Sequence, residues 1–101
     1  MHEPVSAGDV TDVTLQAAPS PIRDRAQLLF ALPQAGQALV EVLDVEGRVV
    51  KVLARGEFAR GAHTLGWDGR DQAGRKVAGG IYVYRLVTAA GAINRKAVVL
   101  R

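Results

Sequence analysis

Hydrophobic side chains recur at every second position in short bursts along this chain. Val13, Leu15 and Ala17 alternate with polar neighbours, and Leu28, Phe30 and Leu32 do so over 27–32, leaving Leu29 on the other side. Residues two apart share one face of a strand, so each burst predicts a strand with an inward stripe. Over Gln37–Leu43 both sides are rich in apolar residues, with Ala38, Val40 and Val42 facing one way and Leu39, Glu41 and Leu43 the other. A fourth strand is expected over Arg48–Ala54, where Val50 and Leu53 lie three apart and predict a bulge. His63, Leu65 and Trp67 mark the fifth, and Tyr82, Tyr84 and Leu86 the sixth. The seventh runs from Ala92 to Arg101, with Ala97/Val99 and Val98/Leu100 equally eligible as its inward pair.

Turn residues punctuate these bursts. Pro19 and Pro21 cannot donate to a ladder and stop the first strand. Further connections are expected at Pro33–Gly36, Asp44–Arg48, Arg55–Gly61, 68–80 and Thr88–Gly91. Short strands broken every 8–12 residues or so predict an all-β, antiparallel sandwich of about seven strands, Ig-like or fibronectin-like. The sandwich is assigned to 13–101. Residues 1–12, where Pro4 and Gly8 oppose a helix, form an extended N-terminal leader.

The stretch 61–86 organises the rest, because it holds the only tryptophan and both tyrosines. Trp67, Tyr82 and Tyr84 point to the core, and His63 lies on the same aromatic side. Between the two strands runs a segment so dense in glycine and charge that it must be a surface connection. Asp44, Asp68 and Asp71 fall where a short carboxylate accepts backbone N–H groups, and Gly47 where a left-handed residue closes a hairpin. Gly69, Gly74 and Gly80 complete this structural signature.

Composition narrows the chemistry. The 101 residues suit one domain, and with 49% hydrophobic residues it has enough apolar side chains for a core. The longest apolar runs break at Pro33, Asp44 or Arg85, too short for a membrane-spanning helix. The net charge of +3 comes mostly from scattered arginines and outlines no phosphate-tracking surface, so nucleic acid is not an expected partner. Without cysteine there is no disulfide, thiolate nucleophile or thiolate metal site. Residues 1–18 lack the basic start and apolar centre of a signal peptide, which points either to a cytoplasmic protein or to a module of a longer exported one.

Catalytic roles find no candidates. Ser6 and Ser20 have no histidine and acid placed to activate them. His63 is paired in sequence only with His2 of the leader, and one imidazole does not make a metal site. Asp68 and Asp71, separated by Gly69 and Arg70, lack the alternating oxygen ligands of a calcium loop. Gly79 and Gly80 precede a strand and build no phosphate cradle. The expectation is no enzyme, no cofactor and no metal.

Several runs carry a resemblance: P-S-P at 19–21, L-P-x-A-G at 32–36, V-x-V-L-D-V-x-G-R-V-V at 40–50, G-x-H-T-L-G-W-D-G-R-D-x-A-G at 61–74, V-A-x-G-I-Y-V-Y-R-L at 77–86 and R-K-A-V-V-L-R at 95–101. As a set they resemble the Ig-like domain of flagellar hook-capping proteins and the C-terminal sorting domain carried by cargo of the type IX secretion system. The sorting pattern ends in a basic residue after an apolar strand, as here. Two positions depart from the pattern: Ser20 stands where asparagine is usual and Ala97 where a larger apolar residue is common. The resemblance implies a bacterial protein at the cell surface or outside the cell. Its partners would be proteins: export machinery in the sorting role, neighbouring subunits in a scaffold role, the latter by self-association through a sheet edge or the leader. A third possibility, a carbohydrate- or protein-binding sandwich using the 68–80 loop, calls for an exposed aromatic near the loop tips.

Overall fold

The computed structural model describes residues 12–19 and 21–101. Apart from Asp12, the leader expected over 1–12 lies outside them, as does Ser20. The strands are β1 (Thr14–Ala18), β2 (Ala26–Leu32), β3 (Gly36–Leu43), β4 (Val49–Phe58), β5 (Gly61–Trp67), β6 (Gly80–Thr88) and β7 (Gly91–Val99). They form two antiparallel sheets, ordered β1-β2-β5 and β4-β3-β6-β7. The chain therefore changes sheet after β2, β4 and β5. This is the expected Ig-like sandwich.

The inward stripes meet between the sheets. Leu15, Leu28 and Phe30 from one sheet pack against Val40, Val42, Tyr84 and Leu86 from the other, all essentially without exposure. Burying a large aliphatic or aromatic side chain contributes about 1.5–3 kcal/mol, so this layer dominates the favourable side of folding. The undecided pair on β7 resolves to Ala97 and Val99.

β4 departs most from expectation. It runs to Phe58, because Gly36, Gln37, Ala38 and Leu39 of β3 keep pairing with Phe58, Glu57, Gly56 and Arg55. The expected connection at 55–61 thereby shrinks to Ala59 and Arg60. Phe58 turns inward to meet Phe30 edge-on, with ring centroids 5.3 Å apart. The bulge is real and double. Register shifts opposite Val40/Glu41 and Val42/Leu43 leave Leu53 and Val50 as the extra residues of β4, and both pack on the core.

Sheet edges are partly covered. Ile22, fully buried, pairs in parallel with Val99; its N–H donates to Val98 O at 2.7 Å, and Leu100 N–H donates to Ile22 O at 2.7 Å. Arg95 of β7 donates from Nε to Leu15 O of β1 at 3.0 Å, bridging the two sheets at their open side. The last strand, which the sequence leaves without edge protection, is thus occupied at its C-terminal end.

Candidate functional site

The loop from Asp68 to Gly79 and the hairpin at 44–48 lie side by side at one end of the sandwich and line an open groove of about 540 Å³ with Val49, Val50 and Tyr82. Asp44 Oδ1 accepts from the N–H groups of Glu46 and Arg48, both at 2.9 Å. Asp71 Oδ1 accepts from Ala73 N–H at 3.0 Å and Arg75 N–H at 2.9 Å. Gly47 N–H donates to Asp44 O, and Gly74 N–H to Asp71 O. Asp44 N–H reaches Arg48 O, and Asp71 N–H reaches Arg75 O. One frame, Asp-x-x-Gly-Arg, is built twice, at 44–48 and 71–75. The five-letter pattern is readable in the sequence but hard to notice, because Val45-Glu46 and Gln72-Ala73 share no character.

Charge separates the two. Arg48 Nε sits 2.9 Å from Asp44 Oδ2, and Arg48 Nη2 2.7 Å from Glu46 Oε1, whereas Arg75 Nε is 3.9 Å from Asp71 Oδ2. The Arg48 backbone N–H, with the guanidinium and the Glu46 N–H adding to it, holds the Asp44 carboxyl below the usual carboxylate range. The hydrogen bond and charge of the Asp44 carboxylate, with the Glu46 charge adding to them, raise the pKa of Arg48 in turn.

The second turn is anchored first by Gln72, which the sequence alone does not single out. Gln72 N–H donates to Val50 O at 2.9 Å, and its side-chain Oε1 accepts from Val52 N–H at 3.0 Å. Gln72 thus offers the outer edge of β4 a backbone donor and an amide acceptor, as a further strand would. Arg70 Nη1 donates to Gly74 O at 2.9 Å, and Asp68 Oδ1 accepts from Arg70 N–H at 3.1 Å. Arg101 closes the loop from the other side, donating from Nε to Val77 O, from Nη1 to Arg23 O and from Nη2 to Gly69 O at 2.9, 3.1 and 2.8 Å. At Gly69 (φ +73°) a Cβ would stand 2.9 Å from Arg101 Nη2 and 3.2 Å from Asp24 O. Glycine is required there by conformation and by space alike.

The aromatic residues hold this end together. Trp67 meets Tyr82 and Tyr84 edge-on, each at 5.9 Å, and its Nε1–H donates to Arg70 O at 3.0 Å. Tyr82, two residues after Gly80 opens β6, donates its hydroxyl to Ala78 O at 2.7 Å. Burial raises the pKa of both tyrosines, and the Tyr84 hydroxyl is buried with no partner. All three rings are buried, so none offers the exposed face that a sugar-stacking platform needs. His63 sits apart, half-buried, its Nε2 2.7 Å from Ala59 O and its ring stacked on Phe30 at 5.1 Å. Among the described residues no group of three or more His, Cys, Asp or Glu could hold a metal ion. The carboxylates of Asp44 and Asp71 are each engaged by two N–H groups, and His63 is remote from both turns.

Residues 23–92 match the model of the FlgD Ig-like domain. The chain belongs to this family. A 48-residue stretch is 40% identical to the basal-body rod modification protein FlgD of Salmonella typhimurium, taking in 48% of this chain but only 21% of that protein. Among solved structures, latent dimeric PorU of Porphyromonas gingivalis superposes with a TM-score of 0.67 at 22% identity, over 91% of this chain and 10% of PorU. PorZ of the same organism, a surface component of the type-IX secretion system, gives 0.57 at 24%, over 86% and 11%. FlgD of Xanthomonas campestris, a hook-capping protein, gives 0.54 at 27%, over 83% and 65%. This FlgD-type domain thus shares its fold with modules of flagellar and type-IX secretion proteins.

Proposed function

We propose that this FlgD-type Ig-like domain is a non-catalytic recognition module of an exported bacterial protein, read as a folded surface by the machinery that brings its parent to the cell surface. The observation that carries this is the seating of Arg101. Its guanidinium is spent on three backbone carbonyls drawn from the 23, 69 and 77 regions. A receptor would therefore meet Arg101 as part of a shaped surface. The fold shared with a type-IX secretion component supports the same role. The module works without a cofactor, outside the cell or on its surface, through protein partners.

The test is a passenger protein fused ahead of residues 12–101 in a bacterium with a type IX system. Surface display of the passenger is expected, with display reduced by Arg101→Lys, which keeps the charge but loses the planar fork. A passenger retained inside the cell, with the domain folded, overturns the proposal. The identity to FlgD favours, as a second reading, a scaffold domain of an extracellular assembly. That reading expects association with neighbouring subunits and no redirection of a passenger.

A further inference from the structure

The outer face of the β4-β3-β6-β7 sheet, turned away from the core, carries apolar side chains beside polar ones. Leu39, Val83 and Val87 lie on it half-buried, and Ile81 is 46% exposed. At its centre Glu41 of β3 stands directly across from Arg85 of β6. Glu41 is only 8% exposed, yet no ion pair joins it to Arg85, whose Nε is buried without a partner. Two opposite charges thus stand side by side on one face without pairing to each other, a pattern that complements itself when a second such face is laid over it.

We propose that this face is a self-complementary dimer interface whose occupant is a second copy of the chain. A two-fold axis lying in the interface, parallel to the strands and between β3 and β6, sets β3 of one copy over β6 of the other. Glu41 then faces the partner's Arg85 and Arg85 the partner's Glu41, the reciprocity of an isologous contact. By the same operation Leu39 covers the partner's Val87. Four strands at about 4.8 Å spacing and nine residues at about 3.3 Å give a face of roughly 20 by 30 Å. That is on the order of 600 Å² per copy, the lower end of a stable interface. The edges are weaker competitors, since Ile22 occupies one end of β7 and Gln72 part of β4. This inference does not depend on the export role.

Sedimentation of the intact chain tests it. The mass is expected to rise with concentration from 10.7 kDa towards twice that. A monomer at every concentration up to about 1 mM, the weakest affinity worth calling specific, overturns the proposal. Glu41→Arg and Arg85→Glu are each expected to weaken the homodimer at least about tenfold by placing like charges opposite one another. Mixed, the two variants are complementary at both contacts and form a heterodimer. Folded variants that fail to pair on mixing overturn the arrangement. Should either variant lose its β-sheet circular dichroism, Glu41→Gln and Arg85→Gln take its place, and a dimer unchanged by both overturns it equally.

Discussion

The hydrogen bonds of the turn at 44–48 stay within five residues, whereas the same frame at 71–75 also reaches strand β4 through Gln72 and is flanked by Arg70, Trp67 and Arg101. Both are built on an aspartate that caps two N–H groups and a glycine that takes the left-handed position, at φ +84° for Gly47 and +85° for Gly74. What differs is the neighbourhood. The first turn joins two strands already paired along their length, so it has only itself to close. The second lies in a crossover between sheets, where the backbone has no ladder of its own and must find partners elsewhere. Local chemistry is copied, and tertiary context decides how much of the fold leans on it.

The largest effect should come from removing the anchor beneath the second turn. Trp67→Ala is expected to cost about 3–5 kcal/mol, the range for deleting a large buried aromatic. It also strips the donor from Arg70 O. Urea denaturation measures the loss, and amide exchange should show the Gly74 N–H opening more readily than that of Gly47. A loss below about 1 kcal/mol would place Trp67 among surface residues.

Glycine substitutions sharpen the contrast. A Cβ at Gly47 or Gly74 meets nothing within 4 Å, so alanine at either is expected to cost only the left-handed penalty of about 1–2 kcal/mol. Gly69→Ala adds the displacement of Arg101 and is expected to cost roughly twice that, since hydrogen bonds from a charged group are lost as well. Equal melting temperatures for the Gly47 and Gly69 variants would mean that the Arg101 contacts contribute nothing.

The middle residues of the two frames make a finer comparison. Gln72→Ala removes the acceptor for Val52 N–H and is expected to cost about 1 kcal/mol. Its counterpart Val45 is 72% exposed, and Val45→Ala should stay within about 0.5 kcal/mol of the parent. Thermal melts of both, with amide exchange at Val52, decide whether the second turn protects the β4 edge.

Much of this was legible from residue spacing. Alternation located all seven strands, and the break in it at Val50 and Leu53 located the irregularity in β4. Asp44 and Gly47 announced their turn because every partner lies within four residues. The end of β4 was hidden, since Arg55-Gly56-Glu57 reads as a loop until pairing with β3 recruits it. Gln72, Arg95, Ile22 and Arg101 were invisible for another reason: their partners lie far along the chain, as Leu15 does from Arg95 and Arg23 from Arg101. No local preference encodes such contacts. Arg101 stands out in the sequence only through family resemblance, as a basic residue after an apolar strand.

The smallest effect, and the most specific to the first turn, is its dependence on pH. The Arg48 N–H and the neighbouring donors hold Asp44 below its ordinary pKa in the folded chain. Folding is therefore favoured when that carboxyl is ionised, and the benefit is full above the unfolded value of about 3.9. It disappears as pH falls through the lower folded value, where both states are protonated. Asp44→Asn keeps the shape but not the charge. Its melting temperature should fall below the parent's at pH 7, and the gap should narrow as pH drops below about 4. Because Arg48 is exposed, the ion-pair part of the gap should also shrink in about 1 M salt, while the backbone contacts persist. A gap that is constant from neutral pH to about pH 2 would show that the Asp44 charge contributes nothing to the first turn.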